Sequence, residues 1–148
     1  MPCGETGEIC VRGPSVMKGY WEQPEATAAA IRAGWLHTGD LGHMDERGYL
    51  YIVDRSKDMI ISGGANVYPR EVEEVLAQHP AVAEVCVFGV PDDIWGEAVR
   101  AAVVLKPGAA SSSEQIIDFA AERMAGYKKP KAGRFFERIT KESCWKDT

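Results

Sequence analysis

Residues 83–90, AEVCVFGV, and 98–105, AVRAAVVL, are rich in β-formers and long enough to pair across the short loop PDDIWGE. The elements around them have to cover such a pair. Met59–Ile61 reads as a short strand broken by Gly63–Gly64. Pro69 suits the first turn of a helix, with Glu71, Glu73 and Glu74 near the positive end of its dipole. Val72, Val75 and Leu76 give that helix an apolar stripe. Ser111 with Glu114 predicts a capping box for a second helix through Met124, with Ile117, Ala120, Ala121 and Met124 on one face and Gly126 at its end. The expected class is α+β: a small sheet covered by helices.

The first third reads differently. GEICVR at 7–12 alternates like a strand, closed by Gly13 and Pro14. Pro24 precedes the short helical run EATAAAIR, which Gly34 ends. WLHTGDLGHMDERGYLYIVDR then suggests two short strands with polar turns around Gly39 and Arg47–Gly48. One small helix cannot cover this many strands, so the segment reads as the edge of a larger sheet.

Composition narrows the function. With 148 residues, 45% of them hydrophobic, the chain has material for one modest domain or little more, and 26% charged residues is ordinary for a globular protein. A net charge of −5 argues against a nucleic-acid partner. The apolar runs are far shorter than the ~20 residues that span a bilayer, which argues against an integral membrane segment. The opening MPCGETGE lacks the basic and apolar regions of a signal peptide, and the expected location is cytoplasmic. Cys3, Cys10, Cys86 and Cys144 show no CxxC spacing and read as reduced thiols. His37 and His43 lie close together, but no pattern around them in the linear sequence matches a metal site, so no metal ligand is assigned.

Five stretches, in order, resemble the adenylate-forming superfamily of AMP-binding enzymes: acyl-CoA synthetases, peptide-synthetase adenylation domains and luciferases. They are GEICVRGPSVMKGYW, WLHTGDLG, DRSKDMIISGGANVYPREVE, VFGVPDDIWGEAV and YKKPK, and the match covers nearly the whole chain. The resemblance implies ATP-dependent activation of a small-molecule carboxylic acid to an acyl adenylate, with Mg, followed by transfer to the thiol of coenzyme A. It also implies an organisation. Residues 1–56 would be the C-terminal edge of the large AMP-binding domain, strands from its β-barrel region. Residues 57–148 would be the small C-terminal lid domain.

Roles follow residue by residue from the same resemblance. Asp40 matches the carboxylate that holds the ribose hydroxyls, and one carboxylate can accept from both. Arg55 matches an arginine near the ribose and phosphate, where a planar, permanently charged fork is suited. As isolated residues they read equally as a turn aspartate and a surface ion-pair arginine. Lys57 falls at the hinge of the lid domain. Gly63 and Gly64 match the backbone face beside the pantetheine arm of CoA, where no Cβ intrudes. Trp95 matches a position lining the same tunnel, though a lone Trp is also an ordinary rim aromatic.

Two departures limit the resemblance. The phosphate loop, adenine motif and acyl pocket of the family do not occur in this sequence, so the expected partner is an N-terminal AMP-binding domain, and the chain alone is expected to be inactive. The family's closing Pro-Lys-x-x-x-Gly-Lys loop is also altered. Lys141 holds the register of its first lysine, Thr140 stands for the proline and Trp145 for the glycine, with Lys146 at the catalytic lysine's place. The alternative is a non-catalytic stand-alone module that works in trans on a truncated partner, or binds nucleotide or CoA weakly.

Overall fold

The computed structural model describes residues 2–137 and 139. The chain forms two compact units, residues 1–57 and 58–148.

The first unit is built on one long strand. β1 (Gly7–Val11), α1 (Pro24–Ala30), β2 (Ile31–Arg32), β3 (Trp35–Met44) and β4 (Leu50–Arg55) follow in order. β3 is the spine of an antiparallel sheet, with β1 on one edge and β2 and β4 in succession along the other. The expectation of a polar turn at Gly39 is corrected here: β3 runs unbroken from Trp35 to Met44, and Gly39 lies inside it. The helix also stops earlier than its composition suggests. Ala33 and Gly34 both take positive φ, 50° and 80°, which makes a tight turn joining β2 to β3 and draws Ile31 and Arg32 out of the helix. The turn at Arg47–Gly48 forms as expected, with the Asp45 carboxylate accepting from the backbone N–H groups of Arg47 and Tyr49. Leu41 is the one large apolar side chain of this unit that is buried among the described residues. Tyr49, Leu50, Tyr51 and Ile52 all stand exposed.

After a single 3₁₀ turn at Ser56–Asp58, the second unit comprises β5 (Ile60–Ser62), β6 (Ala65–Val67), α2 (Pro69–Leu76), β7 (Val82–Asp92), β8 (Gly96–Leu105), α3 (Ser113–Ala121) and β9 (Ala132–Phe135). β7 and β8 pair antiparallel along their whole length, as the short loop requires. β5 and β9 share the other edge of β8; β9 runs parallel to it, so this sheet is mixed. Val99, Ala101 and Val103 alternate along β8 to one face, where Val72 and Leu76 of α2 and Ile116 and Ala120 of α3 pack on them. Val75, the third member of the α2 stripe, is only half-buried.

Two details of α3 shift by one position. The capping box is Ser112 with Gln115, not Ser111 with Glu114: the Ser112 hydroxyl accepts from the Gln115 N–H, and the Gln115 side chain accepts from the Ser112 N–H. The buried face accordingly runs through Ile116 and Ala120 rather than Ile117, and the helix ends near Ala121, short of Met124. A run of three serines followed by Glu and Gln offers two boxes, and the one that turns Ile116 inward wins.

One of the cysteines departs from the expectation of reduced thiols. Cys3 and Cys10 are free, whereas Cys86 is disulfide-bonded. Among the described residues no helix is long and apolar enough to cross a membrane.

Leu76 is fully buried in the second unit's core, so Leu76→Ala is expected to cost about 2–5 kcal/mol in urea denaturation. Ser112→Ala is expected to cost about 1 kcal/mol and Ser111→Ala markedly less, since Ser112 alone closes the capping box.

Candidate functional site

In the first unit the Asp40 carboxylate is placed by a bulge. Cys10 pairs with His37 and Glu8 with Leu41, so Thr38, Gly39 and Asp40 together span what Ile9 spans on β1. Gly39 takes φ +76° there, a conformation that costs a residue with a Cβ about 1–2 kcal/mol. Side chains tie the extra residues down. The Thr38 hydroxyl donates to the Ile9 carbonyl at 2.9 Å and accepts from the Asp40 N–H at 3.1 Å. The Gly39 N–H donates to Glu8 Oε1 at 3.2 Å.

The other oxygen of Glu8 lies 2.6 Å from His37 Nδ1 and 3.4 Å from the Arg32 guanidinium. The His37 hydrogen bond above all, with the charges and the Gly39 N–H, holds the Glu8 carboxyl below the usual carboxylate range. An ionised carboxylate only accepts, so Nδ1 carries the shared proton.

Asp40 thus stands directly across from Arg55 in the β3–β4 ladder, with Arg55 Nε donating to Asp40 Oδ1 at 3.2 Å. The two predicted nucleotide-binding residues are brought together. A carboxylate offers about four lone-pair sites, so one arginine contact leaves capacity for two further hydroxyl donors. Lys57 is exposed in the 3₁₀ turn, and the division between the two units falls immediately after it. Lys146 lies outside the described residues.

In the second unit Gly63 and Gly64 form the two-residue loop of the β5–β6 hairpin, with φ +60° and +79°. Positive φ at both positions is the tight-hairpin geometry that glycine adopts most easily. The sequence presents the pair as one feature, but the two glycines have different surroundings. A Cβ on Gly63 would lie 2.5 Å from the Trp95 ring, whereas one on Gly64 would meet nothing within 4 Å. Gly63 is therefore the seat of Trp95, and its N–H donates to the Trp95 carbonyl at 2.8 Å. Gly64 is the bare backbone beside that seat.

Residues that the motifs did not single out hold Trp95 in place. Asp92 Oδ1 accepts from the N–H groups of both Ile94 and Trp95 at 3.0 Å. Those two hydrogen bonds, led by the one from Trp95, keep the Asp92 carboxyl below its ordinary range, with Lys131 and Arg100 adding to the effect. Lys131 Nζ sits 4.3 Å above the Trp95 ring and 3.9 Å from Asp92 Oδ2. Glu97 Oε2 accepts from the Ile61 N–H at 2.6 Å, fixing the strand that enters the glycine loop. Aspartate two or three residues before a pair of exposed turn N–H groups was the readable signal for Asp92. Lys131 had none, because only the return of β9 beside β8 brings it to Trp95. Trp95 itself remains 46% exposed, so it is a rim residue with an open side.

The small mixed sheet backed by two helices matches the C-terminal domain of adenylate-forming enzymes. The family model described as "AMP-binding enzyme C-terminal domain" matches residues 71–146, just over half of the chain, and the chain belongs to that family. It is 56% identical over 142 residues to a long-chain-fatty-acid–CoA ligase of Bacillus subtilis, covering 96% of this chain and 25% of that protein. Among solved structures it is similar to o-succinylbenzoate CoA synthetase (MenE) from Bacillus subtilis in complex with the acyl-adenylate OSB-AMP. The TM-score is 0.87 and the identity 46%, over 95% of this chain and 28% of that one. ATP-bound MatB from Rhodopseudomonas palustris matches with TM-score 0.90 and 42% identity, over 97% and 29% of the two chains. The chain spans about a quarter of the length of the curated relatives it matches.

Gly63→Ala is expected to destabilise the second unit more than Gly64→Ala in chemical denaturation. Both incur the left-handed cost of about 1–2 kcal/mol, but only the first also displaces Trp95. Asp92 gives a pH signature. Its folded pKa is depressed, so its stabilisation is present above the ordinary carboxylate pKa near 4 and is lost as pH falls through the folded value. The gap in thermal midpoint between the native chain and Asp92→Asn should be flat above about pH 5 and should close below about pH 4.

Proposed function

We propose that the chain is the C-terminal part of an ATP-dependent carboxylate–CoA ligase, which converts a carboxylic acid, ATP and CoA into acyl-CoA, AMP and pyrophosphate through an acyl adenylate. Residues 1–56 belong to the edge of its large AMP-binding domain and residues 57–148 to its lid domain. The observation that carries the reading is the β5–β6 hairpin: a backbone with no Cβ at Gly64, open to solvent, beside the half-open Trp95. A narrow thiol-bearing arm passes closely only along such a face. The names of the relatives support the class, since the matches include ligases of fatty acids and of succinylbenzoate, and AMP-binding enzymes holding ATP or an acyl adenylate.

In this reading Asp40 accepts hydrogen bonds from the ribose hydroxyls of ATP, and Arg55 orients that carboxylate while presenting positive charge to the phosphate. Lys57 is the pivot between the adenylating and thioester-forming arrangements. Gly64 gives passage to the pantetheine thiol, with Trp95 as the wall beside it. Lys146 would stabilise the charge developing between the α-phosphate and the carboxylate. The carboxylic acid and the phosphates are held by the N-terminal domain of the whole enzyme. That domain would also cover the exposed Tyr49 and the Leu50, Tyr51 and Ile52 of β4.

Magnesium accompanies ATP in such a reaction. Among the described residues the grouping able to hold a metal is Glu8, Cys10 and His37, whose thiol and imidazole donors do not suit that hard cation. Its ligands are accordingly placed elsewhere in the whole enzyme.

Two measurements test the proposal. The 148-residue chain alone should release no pyrophosphate from ATP with short, long or aromatic acids, because catalysis needs both reactants held in register. Turnover dependent on ATP and acid would overturn the assignment of the missing groups to another domain. In a full-length ligase carrying these residues, Gly64→Leu should leave acyl-AMP formation near normal. It should slow thioester formation on the order of 10²-fold, read by single-turnover assay of each half-reaction. Equal slowing of both steps would reduce the glycine pair to a structural turn.

A further inference from the structure

We propose that Glu8, Cys10 and His37 form a binding site for a thiophilic divalent cation of the zinc class. The proposal stands on the geometry of the first unit and does not depend on the ligase reading. Linear spacing gave no hint of it, because two ligands come from β1 and the third from β3. Antiparallel pairing sets His37 directly across from Cys10, and Glu8 lies two residues from Cys10 along the strand. His37 Nδ1 is 2.6 Å from Glu8 Oε2 and 3.4 Å from Cys10 Sγ, and the three donor atoms all lie within 4.8 Å of one another.

The convergence is on a single point. A carboxylate and a thiol both approach the same ring nitrogen, which has one proton to give. A cation in place of that proton would satisfy all three groups at once. Zinc takes sulfur at ~2.3 Å and nitrogen or oxygen at ~2.0–2.2 Å, which sets tetrahedral donor separations of roughly 3.3–3.7 Å. The Sγ–Nδ1 distance already fits, and the Glu8–His37 distance has to open by less than about 1 Å. Glu8 is pre-oriented for this, since its other oxygen is held by the Gly39 N–H, the kind of outer support that fixes a metal-ligating carboxylate. Arg32, the competitor for Glu8 Oε2, is well exposed and can move into solvent.

The donor set decides the metal. One sulfur, one imidazole nitrogen and one carboxylate oxygen suit zinc and its neighbours, and not magnesium or calcium. Binding takes the thiolate form of Cys10 and the Nδ1-deprotonated form of His37, so both protons leave to solvent as the metal enters. Three protein ligands leave a fourth position to water. Because the ligands flank the bulge carrying Thr38, Gly39 and Asp40, occupancy would tighten the segment that places the Asp40 carboxylate.

Cobalt(II), a spectroscopic substitute with the same ligand preferences, tests the site on the 148-residue chain under anaerobic conditions. The expected result is a near-ultraviolet thiolate-to-cobalt charge-transfer band that saturates at about one cobalt per chain and is bleached by zinc. Cys10→Ser should abolish the band, His37→Gln should weaken binding about tenfold or more, and Cys3→Ser should change nothing. Absence of the band, or its survival in Cys10→Ser, overturns the proposal. A second readout needs no variant: zinc should shift the Nδ1 resonance of His37 in nitrogen NMR and leave those of His43 and His79 in place. An unmoved His37 resonance also overturns it, and Glu8–His37 is then only a brace for Gly39.

Discussion

Strand β8 is hydrogen-bonded on both edges, to β7 along its whole length and to β5 and β9 on the other side, and its Val99, Ala101 and Val103 supply the floor on which both helices rest. Each helix presents only a narrow apolar strip, Val72 and Leu76 from one and Ile116 and Ala120 from the other. Neither would be stable alone at eight or nine residues, where isolated helices are marginal in water. The chain invests its short helices in one well-paired strand. The same strand organises the exposed chemistry. The β7–β8 turn carries Asp92 and Trp95, the single β5–β8 pair at Ser62 and Gly96 brings the glycine hairpin under that turn, and β9 delivers Lys131 from the far side.

The elements legible in the sequence are those whose signal is local. The Pro-started α2 and the Asp45 turn each follow from residues within about ten positions of one another, and the β7–β8 pair from two runs joined by a short loop. What escaped depends on partners distant in the chain. β9 lacks strong alternation, and it forms because the open edge of β8 receives it. Gly39 looks like a turn, and a lone glycine between polar residues permits that reading. It is the pairing with β1, where Ile9 faces three residues, that converts it to a bulge. The capping box slipped by one because SSSEQ satisfies two registers, and only the need to bury Ile116 distinguishes them.

The candidate site divides along the same line. Asp40 with Arg55, and Gly63 with Trp95, are found together because each pair is joined by a strand ladder or a hairpin contact. Motif resemblance supplied the residue types but not the division of labour within the glycine pair. That division rests on a ring from residue 95 filling the space beside residue 63, a fact of packing that no spacing encodes. The supporting roles of Glu8, His37 and Lys131 were unread for the same reason: each acts by orienting another group, and orientation is a property of the folded backbone.

The two units also differ in how much of their stability is their own. The second holds a core in which Ile60, Val67, Val72, Leu76, Val99 and Val103 are all nearly or wholly buried, about what a small independent domain needs. Among the described residues the first buries Leu41 alone of its large apolar side chains, while Tyr49 and the Leu50, Tyr51 and Ile52 of β4 face solvent. Its sheet is held chiefly by backbone ladders and by polar ties such as Glu8 to His37 and Gly39, each with a modest net contribution of ~1 kcal/mol. Those four side chains are still 50–63% exposed, and covering what remains would be worth roughly 1–2 kcal/mol apiece, at least as much as any one polar tie supplies. The burial that would stabilise the first unit is therefore a surface it presents but does not itself cover. The unit that carries Gly64 and Trp95 already has its own core.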